Sequence, residues 1–99
     1  MKKYQKELDN WFKENNWEYW SPLSILARLQ EECGEFAREV NHLYGDKPKK
    51  SNEKRGDIEE EIGDIIYTLI CFANKHKIDL DRAIRKSFDK VITRDKDRY

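Results

Sequence analysis

The segment IEEEIGDIIYTLICFA, residues 58–73, combines the apolar spacing of an α-helix with a group of acids. Its apolar residues recur every three or four positions, and it lacks the strict alternation of a half-buried strand. Glu61 and Asp64 are three residues apart and therefore project from one helix face. The segment thus predicts a helix with an apolar stripe and two carboxylates on one flank of that stripe.

A second segment, LARLQEECGEFAREV (residues 26–40), has the same organisation. Glu32 and Glu35 are also three residues apart. At about 100° per residue, they fall on the same flank of their stripe as Glu61 and Asp64 do on theirs. Two helices that pack through these stripes would bring all four carboxylates to one side of the contact.

The stripes themselves are predicted to be buried. In the first of these helices the stripe consists of Leu26, Leu29, Cys33, Phe36, Ala37 and Val40. In the second it consists of Ile58, Ile62, Ile65, Ile66, Leu69 and Ala73. Each segment also contains a glycine, Gly34 or Gly63, which costs about 1 kcal/mol relative to alanine inside a helix and indicates close approach by another helix.

Helical periodicity extends over most of the chain. The predicted helices cover residues 3–16, residues 22–44, a stretch that begins between 51 and 57 and ends near 75, and residues 80–94. Ser21 with Pro22 is a typical helix start, Gly45 a typical end, and Asp79 a typical cap. The inner face of the last helix is predicted to hold Leu80, Ala83, Ile84, Phe88 (or Ser87) and Val91. We therefore predict an all-α chain that forms one domain, residues 1–99.

The composition excludes several classes of protein. Twenty basic and twenty acidic residues cancel, so the chain lacks the basic excess of a protein that binds nucleic acid. No apolar run reaches the ~18–20 residues of a membrane span, and the charged N-terminus is unlike a signal peptide, so we expect a cytoplasmic protein without a membrane partner. A charged fraction of 40% with narrow apolar stripes favours self-association. Cys33 and Cys71 are expected to be buried thiols rather than a disulfide.

Four carboxylates on one side of a helix pair are typical ligands of a hard cation. An all-carboxylate set suits Mg²⁺ or Mn²⁺, whereas Zn²⁺ would favour histidine or cysteine. Mg²⁺ commonly takes its remaining ligands from substrate phosphates, so the pattern indicates phosphoryl chemistry. Glu31, next to this face, is then a candidate to position or deprotonate the attacking water.

Two other interpretations of the acids remain open on the residues alone. A single EExxE in so charged a chain usually forms a solvated helix face, and Arg28 and Arg38 could offset its charge. A di-iron bundle needs a Glu-x-x-His on each of two helices, and Glu39 with His42 supplies only one of them.

The run Glu31-Glu32-x-x-Glu35, followed by Glu61-x-x-Asp64, resembles the EExxE and ExxD motifs of the MazG family of all-α nucleoside triphosphate pyrophosphohydrolases. The likeness continues through the segments SPL (21–23), ARL (27–29), REVNH (38–42), YGDKPKK (44–50) and TRDKDR (93–98). These segments resemble the short, single-domain MazG-like proteins of the bacterial YpjD type, and together they cover roughly residues 20 to 98.

The resemblance implies a four-helix MazG-like bundle that hydrolyses (d)NTP between the α and β phosphates, giving NMP and pyrophosphate, in house-cleaning of the nucleotide pool. It implies Mg²⁺, or Mn²⁺ in its place, bound by Glu32, Glu35, Glu61 and Asp64, with Glu31 acting on the water. Basic residues of the last helix, Lys90 and Arg94, are expected to contact phosphates. Helices from two subunits would build each site, in a homodimer or a tetramer of paired dimers.

Base recognition and the runner-up functions depend on fewer observations. Trp20 precedes the first acidic helix, where its ring could stack on a base, although large aromatics in small oligomers also fill interfaces. A non-catalytic helical oligomer, whose acidic seam holds a structural cation or a basic partner, is the alternative from another class. A nucleotide-binding regulator without hydrolysis is a third.

Overall fold

Four α-helices make up most of the chain in the computed structural model, which describes residues 1–45 and 57–96. They are α1 (Lys2–Glu14), α2 (Pro22–Tyr44), α3 (Ile58–Lys75) and α4 (Leu80–Lys96). No strand occurs within the described ranges, so the all-α prediction is confirmed. No described helix is both long and apolar enough to cross a membrane.

Both ends of α2 and the start of α4 lie where their capping residues predict. The hydroxyl of Ser21 accepts the backbone N–H of Ser24 at 3.3 Å, and Pro22 occupies the first turn of α2. Gly45 ends α2, and a Cβ at this position would lie 2.6 Å from the carbonyl oxygen of Asn41, so only glycine fits. Oδ1 of Asp79 accepts the backbone N–H of the second residue of α4 at 3.0 Å. The alternative starts of α3 at residues 51–56 and residues 46–50 of the segment YGDKPKK lie outside the described residues.

The helices fall into two compact units, Met1–Tyr19 with the chain from Phe72 onward, and Trp20–Cys71. In the first unit, Phe12 is buried and its ring stacks on Tyr19 with centroids 4.3 Å apart. Gln5 and Asn74 tie α1 to the end of α3, because the side-chain amide of each donates a hydrogen bond to the other residue at 2.9–3.1 Å. Tyr19 joins this polar network by accepting a hydrogen bond from Asn74 at 2.9 Å.

The second unit contains α2 and most of α3, and its buried face differs from the predicted one. The buried residues of α2 are Ile25, Glu32 and Glu39. Three members of the predicted α2 stripe, Leu26, Cys33 and Ala37, are exposed, and so are three members of the α3 stripe, Ile62, Ile66 and Leu69. Half of each predicted stripe is therefore uncovered in the described chain, whereas the other half is partly or fully buried, namely Leu29, Phe36 and Val40 on α2 and Ile58, Ile65 and Ala73 on α3. The unit also buries the acidic flank of α2 and leaves apolar faces of both helices uncovered.

Three smaller predictions are also corrected. A Cβ at Gly34 or Gly63 would meet no heavy atom within 4 Å among the described residues, so neither glycine marks a close helix approach inside the chain. Both cysteines are free, as predicted, but Cys33 is exposed rather than buried. On α4, the predicted inner residues Ala83, Ile84, Phe88 and Val91 are exposed.

Candidate metal centre

The second unit brings three carboxylates together. One oxygen from each of Glu32, Glu61 and Asp64 lies within 4.8 Å of the others. Glu32 comes from the middle of α2, and the other two come from successive turns of α3. We refer to these three residues as the carboxylate cluster. Its geometry follows from the three-residue spacing on α3, which aims both side chains at α2.

The cluster is short of hydrogen-bond donors. Glu32 is 2% exposed, and its Oε2 is buried without a hydrogen-bond partner in the described part of the chain. Oε2 of Glu61 is in the same situation. Leaving a buried carboxylate oxygen unpaired is costly, and coordination of a cation is one of the few arrangements that removes this cost. The donor set is all oxygen, so the residues present fit Mg²⁺ or Mn²⁺.

The pKa shifts within the cluster also favour binding of a cation. Burial raises the pKa of Glu32 above its ordinary value, the charge of Glu35 raises it further, and the nearby Arg28 opposes the rise. Burial likewise raises the pKa of Glu61, and the charges of Glu35, Asp64 and Glu32 add to the effect. Like charges held this close disfavour ionisation, and a divalent cation would relieve that repulsion.

The predicted site residues do not all meet in this cluster. Glu35 is partly buried and close enough to affect both pKa values, but it lies outside the group defined by the 4.8 Å separation. Glu31 is exposed, and so is Trp20 at the start of the same unit. Lys90 and Arg94 lie on exposed positions of α4, where Nε of Arg94 is 3.3 Å from Asp95.

Two further features of α2 and α3 escaped prediction. Glu39 is buried one turn beyond Glu35 and lies 3.9 Å from Nδ1 of His42, although no apolar pattern indicated its burial. Tyr67, one turn after Asp64, has a pKa raised mainly by burial and then by Cys71. The sequence places Glu39 on α2 and Tyr67 on α3. The burial of Glu39 depends on which face of α2 is turned inward, and only the structure shows that this is the acidic flank.

Fold and site together define a class of protein, namely an all-helical protein with a carboxylate centre suited to a hard divalent cation. The chain belongs to the MazG family, because residues 20–99 match the model of the MazG nucleotide pyrophosphohydrolase domain. It is a MazG-like nucleotide pyrophosphohydrolase, as the family resemblance of its motifs predicted.

Known relatives are similar over nearly their full lengths. YpjD of Bacillus subtilis (strain 168), a protein of uncharacterised function, is 50% identical over 99 residues, which are 100% of this chain and 89% of YpjD. The crystal structure of YpjD from Bacillus subtilis, described as a proposed pyrophosphatase, matches with a TM-score of 0.82 and 47% identity over 96% of this chain and 95% of that one. The crystal structure of a Bacillus-conserved MazG protein, a nucleotide pyrophosphohydrolase, matches with a TM-score of 0.78 and 47% identity over 97% and 93%.

Proposed function

We propose that this protein hydrolyses nucleoside triphosphates between the α and β phosphates, releasing a nucleoside monophosphate and pyrophosphate, and that it requires Mg²⁺. The observation that carries the proposal is the carboxylate cluster, in which two buried oxygens have no hydrogen-bond partner in the described chain. Membership of a nucleotide pyrophosphohydrolase family supports the reaction class.

In this proposal the carboxylates have two roles, binding of the cation and activation of the water. Glu32, Glu61 and Asp64 bind the cation, and Glu35, whose charge reaches Glu32 and Glu61, completes the set. A cation bound there neutralises phosphate charge and makes a bound water more acidic. Glu31 is exposed on α2 beside this set, where it can orient the water or accept its proton.

The remaining substrate contacts follow from the family resemblance. Lys90 and Arg94 are four residues apart on exposed turns of α4, so they share a face and can bind phosphate oxygens. Trp20, which is 60% exposed, offers a ring on which a base can stack. These are the substrate contacts that the resemblance implies, and the proposal takes residues 1–99 as one domain.

We also propose that the active form is a homo-oligomer. Apolar side chains on α3 remain 39–44% exposed at Ile62, Ile66 and Leu69, and on α4 Ile84 and Phe88 are 49% and 54% exposed. Covering these side chains would stabilise the protein by about 25 cal/mol per Å² of apolar surface removed from water. A second copy is the partner that fits, since the resemblance implies sites built from two subunits, in a homodimer or a tetramer of paired dimers.

Nucleotide house-cleaning in the cytoplasm is the role that this activity would serve. Incubation of the purified protein with a panel of standard and damaged nucleoside triphosphates and Mg²⁺ tests the reaction, with products separated by anion-exchange chromatography. The proposal expects monophosphate with an equal amount of pyrophosphate, and no product in the presence of a chelator. Diphosphate with inorganic phosphate would place cleavage at another bond and contradict it.

A non-catalytic scaffold with a structural cation makes a different prediction. It expects no product from any nucleotide, while added Mg²⁺ still raises the melting temperature. A regulator that binds nucleotide without hydrolysis expects Mg²⁺-dependent nucleotide binding, also without pyrophosphate. The same panel separates the enzyme from both alternatives, and a measurement of Mg²⁺-dependent nucleotide binding separates the two alternatives from each other.

A further inference from the structure

Arg28 connects the solvent to the most deeply buried member of the carboxylate cluster. It lies one helical turn before Glu32 on α2, and its Nε is 2.8 Å from Oε1 of Glu32. The two side chains differ greatly in exposure, 50% for Arg28 and 2% for Glu32. One end of this pair is therefore accessible, and the other is fixed inside the unit.

The contact occupies only one of the two carboxylate oxygens. Oε1 of Glu32 faces Arg28, whereas Oε2 is buried and finds no hydrogen-bond partner in the described ranges. A carboxylate held by one oxygen has a fixed plane, so its second oxygen has a fixed direction. This is the arrangement of metal-binding carboxylates, which are commonly hydrogen-bonded on the oxygen that faces away from the ion.

The other ion pairs at the same spacing in the described residues lack this setting. Arg85 and Asp89 on α4 are also four residues apart and 3.1 Å from each other, but their side chains are 59% and 66% exposed. An exposed pair of this kind contributes little, because water competes for both partners. Arg28 is different because its partner is buried. Its charge also acts on Tyr67 of α3, where it opposes the rise in that residue's pKa.

We propose that Arg28 is a positioning residue of the metal centre, which holds Glu32 so that its free oxygen faces the cation. The inference rests on the proposed function, since it takes the cluster to bind a divalent cation. Without Arg28, Glu32 would be a buried carboxylate with no fixed orientation, and it would turn toward solvent or bind a proton. Loss of such an outer partner typically weakens metal binding about 10–100-fold.

The test is a titration of nucleotide-free protein with Mn²⁺ alone, with free Mn²⁺ followed by electron paramagnetic resonance. The parent is compared with Arg28→Gln, which removes the guanidinium, and with Arg28→Lys, which keeps a cation. Arg85→Gln is the matched control, since it breaks an Arg–carboxylate pair of the same spacing outside the cluster. Circular dichroism and sedimentation confirm that helix content and assembly are unchanged.

The proposal expects Mn²⁺ affinity about 10–100-fold lower in Arg28→Gln, partial recovery in Arg28→Lys and no change in Arg85→Gln. It also expects the Mg²⁺ concentration for half-maximal hydrolysis to rise in Arg28→Gln, while kcat at saturating Mg²⁺ changes little. Equal or tighter Mn²⁺ binding by Arg28→Gln overturns the positioning role and leaves the proposed function standing. A parent that binds no Mn²⁺ overturns the metal centre and this inference together.

Discussion

Glu61 carries a buried oxygen without a hydrogen-bond partner in the described chain, and three other acids lie around it. Its charge therefore destabilises the fold unless a cation is bound. We predict that Glu61→Gln melts at a higher temperature than the parent in the presence of chelator. We also predict that it loses the rise in melting temperature that Mg²⁺ gives the parent, because a ligand that binds only the folded state stabilises that state.

Glu59→Gln is the control for this experiment, since Glu59 is an exposed acid on the same helix. Both variants remove one negative charge, so a general effect of net charge would appear in both. All melting curves are measured at one protein concentration, because assembly makes melting concentration-dependent. A Glu61→Gln variant that melts lower in chelator, or that keeps the full response to Mg²⁺, would contradict cation binding by Glu61.

Asp81 governs a second local effect, which depends on pH. Its carboxylate accepts the backbone N–H of Lys2 at 3.0 Å and the amino group of Met1 at 3.1 Å. The Lys2 hydrogen bond and then the amino group hold the pKa of Asp81 below its ordinary value of 3.8. A lowered pKa stabilises the fold above the ordinary value, and this stabilisation is lost as the pH falls through the lowered pKa.

We therefore predict that Asp81→Asn is less stable than the parent at neutral pH and that the difference shrinks below about pH 4. Urea denaturation at several pH values measures it. Asp89→Asn, which breaks an exposed pair on the same helix, serves as the control and should change stability by no more than a few tenths of a kcal/mol. A difference between the parent and Asp81→Asn that persists unchanged at low pH would assign the effect to packing and not to charge.

Helix caps set the ends of the elements, and Ser21 is the clearest case. Its hydroxyl accepts the N–H of Ser24 at the start of α2, the helix that carries Glu32. Ser21→Ala should destabilise the protein by about 1 kcal/mol, whereas Ser21→Asp should retain most of the stability. Urea midpoints at equal slope measure both. Equal loss in the two variants would mean that the hydroxyl contact is not what stabilises the start of α2.

Element boundaries were predictable because their causes are local. Ser21, Gly45 and Asp79 act on backbone groups within four residues, so the bounds of α2 and the start of α4 followed from the sequence. The spacing of Glu61 and Asp64 likewise required their side chains to share a face.

The buried faces were not predictable because their cause is not local. On α2 the apolar arc is wide enough to include both Ile25 and Leu26, and the sequence does not say which edge packs inside the chain. The structure buries Ile25 and leaves Leu26 48% exposed, which turns Glu32 and Glu39 inward. Apolar residues that pack inside the chain and apolar residues that pack on a partner look alike in the sequence. A prediction from one chain therefore places both groups in one core.

At the scale of the whole molecule, the uncovered apolar faces give a test of assembly. We predict that the parent sediments at a multiple of 12.0 kDa. Ile66→Glu places a charge on the uncovered face of α3 and should shift the protein toward the single-chain mass. Asn10→Glu adds the same charge at an exposed polar position of α1 and should leave the mass unchanged. A parent that sediments at the single-chain mass at micromolar concentration would contradict the proposed homo-oligomer.

In the proposed function, the carboxylate cluster holds the cation on which hydrolysis depends. The most direct measurement is the rate of pyrophosphate release against Mg²⁺ concentration, for the parent, for Asp64→Asn and for the exposed control Glu59→Gln. We predict saturable Mg²⁺ dependence in the parent and the control, and a loss on the order of 100-fold or more in Asp64→Asn with helicity and assembly intact. Pyrophosphate release by Asp64→Asn at the parent's rate and Mg²⁺ dependence would contradict this role of the cluster.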